Sequence, residues 1–219
     1  MKYLIFTKRT WDKNNFKNLN PKKFCVLKEF NEKQIIKYNP KIIFFIHWSK
    51  IVPAKIFKNY YCVQFHSSDL PRFRGGSPIQ NQIIRGIKKT KLTAFKMSEK
   101  IDSGEIILKK NLNLNGAAEK IYKEMEKKSL SMIKSIVQNK IETYPQKGKS
   151  SYFKRRSPNE SNLNHVKINN LDFIYDFIRM LDAKGYPNAF IEFKDYKIYL
   201  NNVKKQRNKI NGNFKIEKK

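Results

Sequence analysis

The stretch CVQFHSSDLPRFRGGSP, residues 62–78, decides how this chain is read. An apolar run ends on His66, and two serines, an aspartate, a proline and two arginines around a Gly-Gly pair follow at once. A core strand does not carry so many polar groups, and a plain surface turn has no need of them. A short apolar run bounded by turn-forming residues predicts a buried strand over 60–66. In parallel α/β sheets, ligands bind outside the carboxyl ends of the strands. A histidine at such an end, leading into a polar loop, is therefore a candidate site residue.

Working outward, KYLIFT (2–7), KFCVLKEF (23–30) and the continuous apolar run KIIFFIHW (41–48) predict three further strands, the last buried on both faces. Polar-studded segments compatible with helices separate them. This alternation predicts an α/β fold with an open, mostly parallel, Rossmann-like sheet. Downstream, Ser77 is placed as the cap of a helix with Pro78 at its first position, and Gly86 marks its end. Strands are expected over 92–98 and from 105. A long helix from about 117 to 138 carries an apolar stripe of Ala118, Ile121, Tyr122, Met125, Met132, Ile133, Ile136 and Val137.

Residues 146–162 are polar, basic and rich in turn formers, and read as a linker or surface loop. After them come a helix over 169–182, with Leu171, Ile174, Tyr175, Ile178 and Leu181 on one face, and two strands around Lys194-Asp195. The lysine-rich last dozen residues are expected to fray. The resulting division is a catalytic domain over 1–150 and, over 151–219, a linker with a small helix-plus-hairpin appendage.

At 219 residues and 40% apolar content, the chain has enough apolar sequence for one full core domain and a small appendage. The net charge of +29 draws attention to nucleic acid, but only eight of the 47 basic residues are arginine. Lysine gives point charges without the bidentate forks suited to base and phosphate recognition. The expectation is therefore attraction to phosphorylated small ligands, with no specific nucleic acid and no membrane partner. Cys25 and Cys62 lie in apolar runs and read as free buried thiols. Neither has metal-ligand spacing, and no metal site is expected. No signal sequence or membrane span is evident, so a cytoplasmic location is expected.

Three histidines narrow the search for chemistry. His165 sits in polar sequence; His47 ends a buried strand and is open to a structural or a site role. His66 gains weight from Asp102, in the loop MSEKIDSGEI between two strands. A carboxylate can orient an imidazole and favour its protonated form, making an acid–base pair. No nucleophile elbow or phosphate-binding glycine loop is present.

The motif Q-F-H-S-S-D-L-P-R-F-R-G-G-S-P, with I-D-S-G-E-I 36 residues after the histidine, resembles the signature of the folate-dependent formyltransferases. HWSKIVPAKIF upstream and GAAEKIYKEME downstream extend the likeness over roughly residues 40–145. The resemblance implies direct transfer of a formyl group from N10-formyltetrahydrofolate to an amine. His66, Asp102 and Gln64 would be catalytic, Gln64 standing where the family has asparagine. Trp48, Ile51, Pro53, Ser98 and Ile101 would line the folate site. Ser67, Arg72, Arg74, Gly75 and Gly76 would shape the acceptor site.

Within that family the short chain and the segment IRMLDAKGYPNAFIEF look closest to enzymes acting on nucleotide-linked amino-deoxysugars. That acceptor is the expectation, with a homodimer possible through the hairpin edge. The alternatives are methionyl-tRNA as acceptor, with tRNA as partner, and a non-catalytic folate- or nucleotide-binding relative.

Overall fold

The computed structural model describes residues 2–219. The chain divides into two compact units. The first runs to Gly75 and takes in Thr90–Leu112 and Lys123–Tyr152; the second comprises Gly76–Lys89, Asn113–Tyr122 and Phe153–Lys219.

The first unit is built on a six-stranded sheet. Its strands are β1 (Tyr3–Thr7), β2 (Phe24–Leu27), β3 (Ile42–Ile46), β4 (Cys62–His66), β6 (Lys89–Lys96) and β7 (Ile106–Asn113), in the order β2-β1-β3-β4-β6-β7. β5 (Arg74–Gly75) is a two-residue strand in the loop after β4. β1 pairs in parallel with β2 and β3, and β3 with β4, whereas β6 lies antiparallel to β4. The sheet is thus mostly parallel, as the alternation of elements predicts. After β2 the chain returns to the other side of β1, which puts the switch point between β1 and β3.

All five residues of β1 and all five of β3 are buried, the signature of strands covered on both faces. Leu4, Phe6, Ile43 and Phe45 join Ile35 of α2 (Glu32–Tyr38) and Ile56 of α3 (Ala54–Asn59) in one apolar cluster. Each such side chain contributes on the order of 1.5–3 kcal/mol by leaving water. Asn31 caps α2 by accepting from the Gln34 N–H, and left-handed Asn39 ends it. A shorter helix, α1 (Lys13–Lys17), follows β1 and starts at Asp12.

In the second unit, α4 (Pro78–Ile83) starts after Ser77 and stops just before Gly86, whose φ of +72° suits glycine. Ser77 does not cap it: the residue is itself left-handed, and its hydroxyl accepts the Arg156 N–H instead. α5 (Ala118–Gln138), which counts with the second unit up to Tyr122 and with the first from Lys123, buries Ala118, Ile121, Tyr122, Met125, Met132, Ile133 and Ile136, so both methionines are core.

β8 (Tyr152–Phe153) is a second two-residue strand within the expected linker, so that segment is more than a surface loop. In α6 (Leu171–Arg179) the buried residues are Phe177, Ile178 and Arg179, while Leu171 is exposed, against expectation. Arg179 explains its own burial. Its guanidinium donates to Asp176 and to the carbonyls of Leu114 and Gly116.

The expected two strands are three, in an antiparallel sheet of β9 (Ala189–Phe193), β10 (Tyr196–Lys205) and β11 (Ile210–Lys218). β11 takes up most of the segment expected to fray. Its side chains are almost all exposed, and backbone pairing with β10 rather than burial holds it.

Candidate active site

His66 is the last residue of β4, and Gln64 lies two residues earlier, on the same face of the strand. Gln64 is flanked in register by Phe45 of β3 and Phe95 of β6. Its amide meets no protein hydrogen-bond partner among the described residues, while part of the residue reaches solvent. The turn after His66 is closed by the Thr93 hydroxyl, which donates to the Ser68 carbonyl at 2.7 Å. The Ser68 hydroxyl in turn donates to the Arg72 carbonyl at 2.6 Å.

Asp102 reaches His66 by a less direct route than strand ends lying side by side. β6 ends beside Val63, at the start of β4, and residues 97–105 must fold back to bring Asp102 to the far end. Gly104 makes this possible, since a Cβ there would lie 1.6 Å from the Lys96 carbonyl oxygen. The outcome is a pair with Oδ2 of Asp102 3.5 Å from Nδ1 of His66, both residues buried, at 7% and 5% exposure. The Gly75 N–H donates to the same Oδ2 at 2.8 Å. On the other side of the imidazole, Nε2 lies 2.6 Å from the Phe73 carbonyl oxygen. A carbonyl can only accept, so Nε2 carries the hydrogen and Nδ1 is the basic nitrogen of the neutral ring.

The other residues singled out in the sequence divide. Ile51, in the loop after β3, is 90% exposed, and Ile101, next to Asp102, is 56% exposed. Pro53, at the start of α3, and Ser98 are also exposed. Trp48 differs, because its ring packs against Phe6 and Phe45 at 5.8 Å in the core cluster. Ser67 is buried, and Arg72 is exposed. Arg74 is tied down by donating through Nη2 and Nε to Gln146 Oε1, at 2.6 and 3.2 Å. Gly75 supplies the N–H on Asp102, while Gly76, in the second unit, donates to the Phe153 carbonyl.

Two other histidine and cysteine positions are chemically quiet. His47 has its pKa lowered to about 3, by burial first and by the Arg9 charge second, so it is neutral at physiological pH. Burial pushes the Cys62 thiol up to about 12, which makes it a poor nucleophile. Sequence reasoning missed Gln146 and Ser151, which lie in the expected linker and bond to the backbone around both members of the dyad. The only sequence signal for them was a polar residue amid turn formers.

A buried His–Asp pair at the end of a parallel strand is an arrangement suited to acid–base chemistry, and the sequence that builds it matches a known family. The formyl transferase family model fits residues 11–156, and the chain belongs to that family. A second model, the C-terminal domain of methionyl-tRNA formyltransferase, fits residues 158–217.

Among solved structures, a methionyl-tRNA formyltransferase from Clostridium thermocellum is 38% identical, with a TM-score of 0.91 over 100% of both chains. A curated methionyl-tRNA formyltransferase from Rickettsia prowazekii is 43% identical over 82 residues, 36% of this chain. That match spans only 27% of the Rickettsia protein's length. A sugar N-formyltransferase from Shewanella shares the fold alone, at 18% identity and a TM-score of 0.68 over 92% of this chain and 96% of its own. The expectation that the chain stands nearest the sugar enzymes is therefore corrected: its high-identity relatives carry the methionyl-tRNA name.

Proposed function

We propose that this chain transfers the formyl group of N10-formyltetrahydrofolate to the α-amino group of methionyl-tRNA. The observation that carries the transfer chemistry is the buried His66–Asp102 pair, with its basic nitrogen fixed by the Phe73 carbonyl.

When bound, the folate supplies an electrophilic formyl carbon and a nitrogen leaving group. His66 takes at Nδ1 the proton that the attacking amine loses as its bond to that carbon forms. The imidazolium then has an acceptor on each side, Asp102 at Nδ1 and Phe73 O at Nε2, so the protonated ring is satisfied without rearrangement. Asp102 stabilises the positive charge from inside a buried site, where it acts more strongly than in water. Gln64 donates its amide N–H to the formyl oxygen as negative charge develops there. His66 returns its proton to the leaving nitrogen, so protons balance over the cycle. Ile51 and Ile101, with Pro53 and Ser98, would hold the folate by apolar and polar contact, and Trp48 would set the position of the loop after β3 from the core.

The acceptor reading rests on the 38% identity over the full length of both chains and on the C-terminal family match. The +29 charge favours an RNA partner in the same direction, through counterion release. A nucleotide-linked amino sugar is the second reading. It is favoured by Arg72, exposed in the loop that follows Ser67, where a guanidinium suits the phosphates of a nucleotide.

One assay separates them: the protein is incubated with N10-formyltetrahydrofolate and either methionyl-tRNA or a panel of nucleotide-linked amino sugars, and tetrahydrofolate release is followed. Turnover with methionyl-tRNA that falls steeply with salt is expected. Turnover only with an amino sugar overturns the tRNA reading. No turnover with any acceptor leaves a binding protein.

A further inference from the structure

We infer that residues 146–151 form a strap that sets the geometry of the catalytic pair, with Gln146 and Ser151 as positioning residues. The inference rests on the acid–base role of His66 and Asp102 proposed above.

Ser151 addresses the His66 side. Its hydroxyl oxygen accepts the Phe73 N–H at 2.9 Å, its carbonyl accepts the Arg74 N–H at 2.8 Å, and its own N–H donates to the Pro71 carbonyl at 3.3 Å. Phe73 is thus held at its N–H by Ser151, and its carbonyl in turn holds His66 Nε2 at 2.6 Å. Only one residue separates the Ser151 hydroxyl from the imidazole.

Gln146 addresses the Asp102 side. Its Nε2 donates to the carbonyls of Asp102 and Gly104, at 2.9 and 2.8 Å. Its Oε1 accepts from Nη2 and Nε of Arg74, at 2.6 and 3.2 Å. An amide has two N–H donors and two lone pairs, and here all four are used. They join the Asp102 loop to the residue next to Gly75, whose N–H holds the Asp102 carboxylate.

Backbone conformation shows why a strap is needed. Phe73 and Asp102 are both left-handed, with φ of +56° and +51°, an unfavourable state for residues with a Cβ. Such conformations persist only where surrounding bonds over-determine them. The strap binds both residues, while much of 146–151 lies at the surface, where it contributes little apolar burial. Its role is therefore to fix two loops that approach each other from opposite sides of the dyad. The reach across that gap matters, because about 1 Å of misplacement can cost about a hundredfold in rate.

The test reads His66 directly, without turnover. With three histidines in the chain, the 15N and ring-proton signals of His66 can be followed against pH in the full-length protein. In Ser151→Ala, the His66 midpoint and tautomer signature are expected to shift while those of exposed His165 stay in place. Ser151→Thr, which keeps the hydroxyl, is expected to restore them. Gln146→Glu, ionised and unable to donate to two carbonyls, is expected to shift His66 as well. In a turnover assay Ser151→Ala and Gln146→Glu are expected to lose at least tenfold in kcat, with KM for the acceptor within about twofold.

Wild-type His66 signals in both folded variants overturn the inference. Hydrogen exchange in the unmodified protein guards against variants that fail to fold. The Phe73, Arg74 and Gly75 amides are expected to be protected, and fast exchange at all three overturns the strap. Shifted His66 signals in a protein that turns over no acceptor count against the proposed function and leave the strap standing.

Discussion

Nε2 of His66 lies 2.6 Å from the Phe73 carbonyl oxygen, and that contact dictates which nitrogen does the work. With Nε2 committed to a carbonyl, proton uptake falls to Nδ1, which faces Asp102. His66→Ala is expected to lower kcat by about 10²–10⁴, the range of a positioned acid–base group. Asp102→Asn, which keeps the shape and removes the charge, is expected to lower it in the same direction. A steady-state assay with the proposed acceptor checks both, and full activity in His66→Ala refutes the mechanism.

Gln64 stands where the resemblance implies an asparagine, and its longer side chain extends the amide by about 1.5 Å, one carbon–carbon bond. If the surrounding strands hold the substrate to suit that reach, Gln64→Asn misplaces the donor and is expected to lower kcat by up to about a hundredfold. Gln64→Ala, which deletes it, is expected to cost about 10²–10³. A large gain in Gln64→Asn would show instead that the native amide holds the enzyme back.

Gly104→Ala separates the fold-back of the 97–105 loop from the chemistry it serves. The new Cβ would meet the Lys96 carbonyl oxygen at 1.6 Å, and that oxygen belongs to a strand that cannot yield easily. The loop must move, and Asp102 with it. A loss of about 1–3 kcal/mol in stability, as for other overpacked sites, is expected in chemical denaturation. A loss of kcat larger than that of a stability-matched substitution elsewhere is expected with it.

His47 gives a pH dependence whose sign follows from its pKa of about 3 in the fold against 6.5 for an ordinary solvated histidine. Between those values the unfolded chain takes a proton that the folded chain refuses. Stability is therefore expected to fall as pH drops below about 6.5, by up to about 1.4 kcal/mol per pH unit from this residue. Denaturant melts from pH 7 to 4 test this. His47→Asn, which tolerates the φ of +49°, is expected to flatten the curve, and an unchanged slope would contradict the assignment.

The sheet was legible in the sequence because β1 and β3 are continuous apolar runs, and burial on both faces leaves no other composition open to them. His66 could be read from its place at the end of such a run. The distance to Asp102 could not, because 36 residues of spacing say nothing about a loop that doubles back past Lys96. Gln146 and Ser151 stayed hidden for a related reason. Ser151 bonds to peptide N–H and C=O groups, which nearly every residue has, and Gln146 adds to such bonds only a neutral amide's contact with Arg74, 72 positions away, so no charge or spacing marks either. β11 was missed although Ile210, Phe214 and Ile216 alternate along it, because Phe214 and Ile216 stay exposed and a lysine-rich terminus reads as frayed.

The fold-back that delivers Asp102 also fixes an order of assembly. During synthesis the six strands are complete once Asn113 has emerged, yet nothing then holds Phe73 and Asp102 in their left-handed states from the far side. Ser151 follows 78 residues after Phe73, and Gln146 follows 44 after Asp102. A nascent chain therefore has all six strands of the sheet before it has Gln146 and Ser151, and on the proposed mechanism the alignment of His66 waits for the later segment.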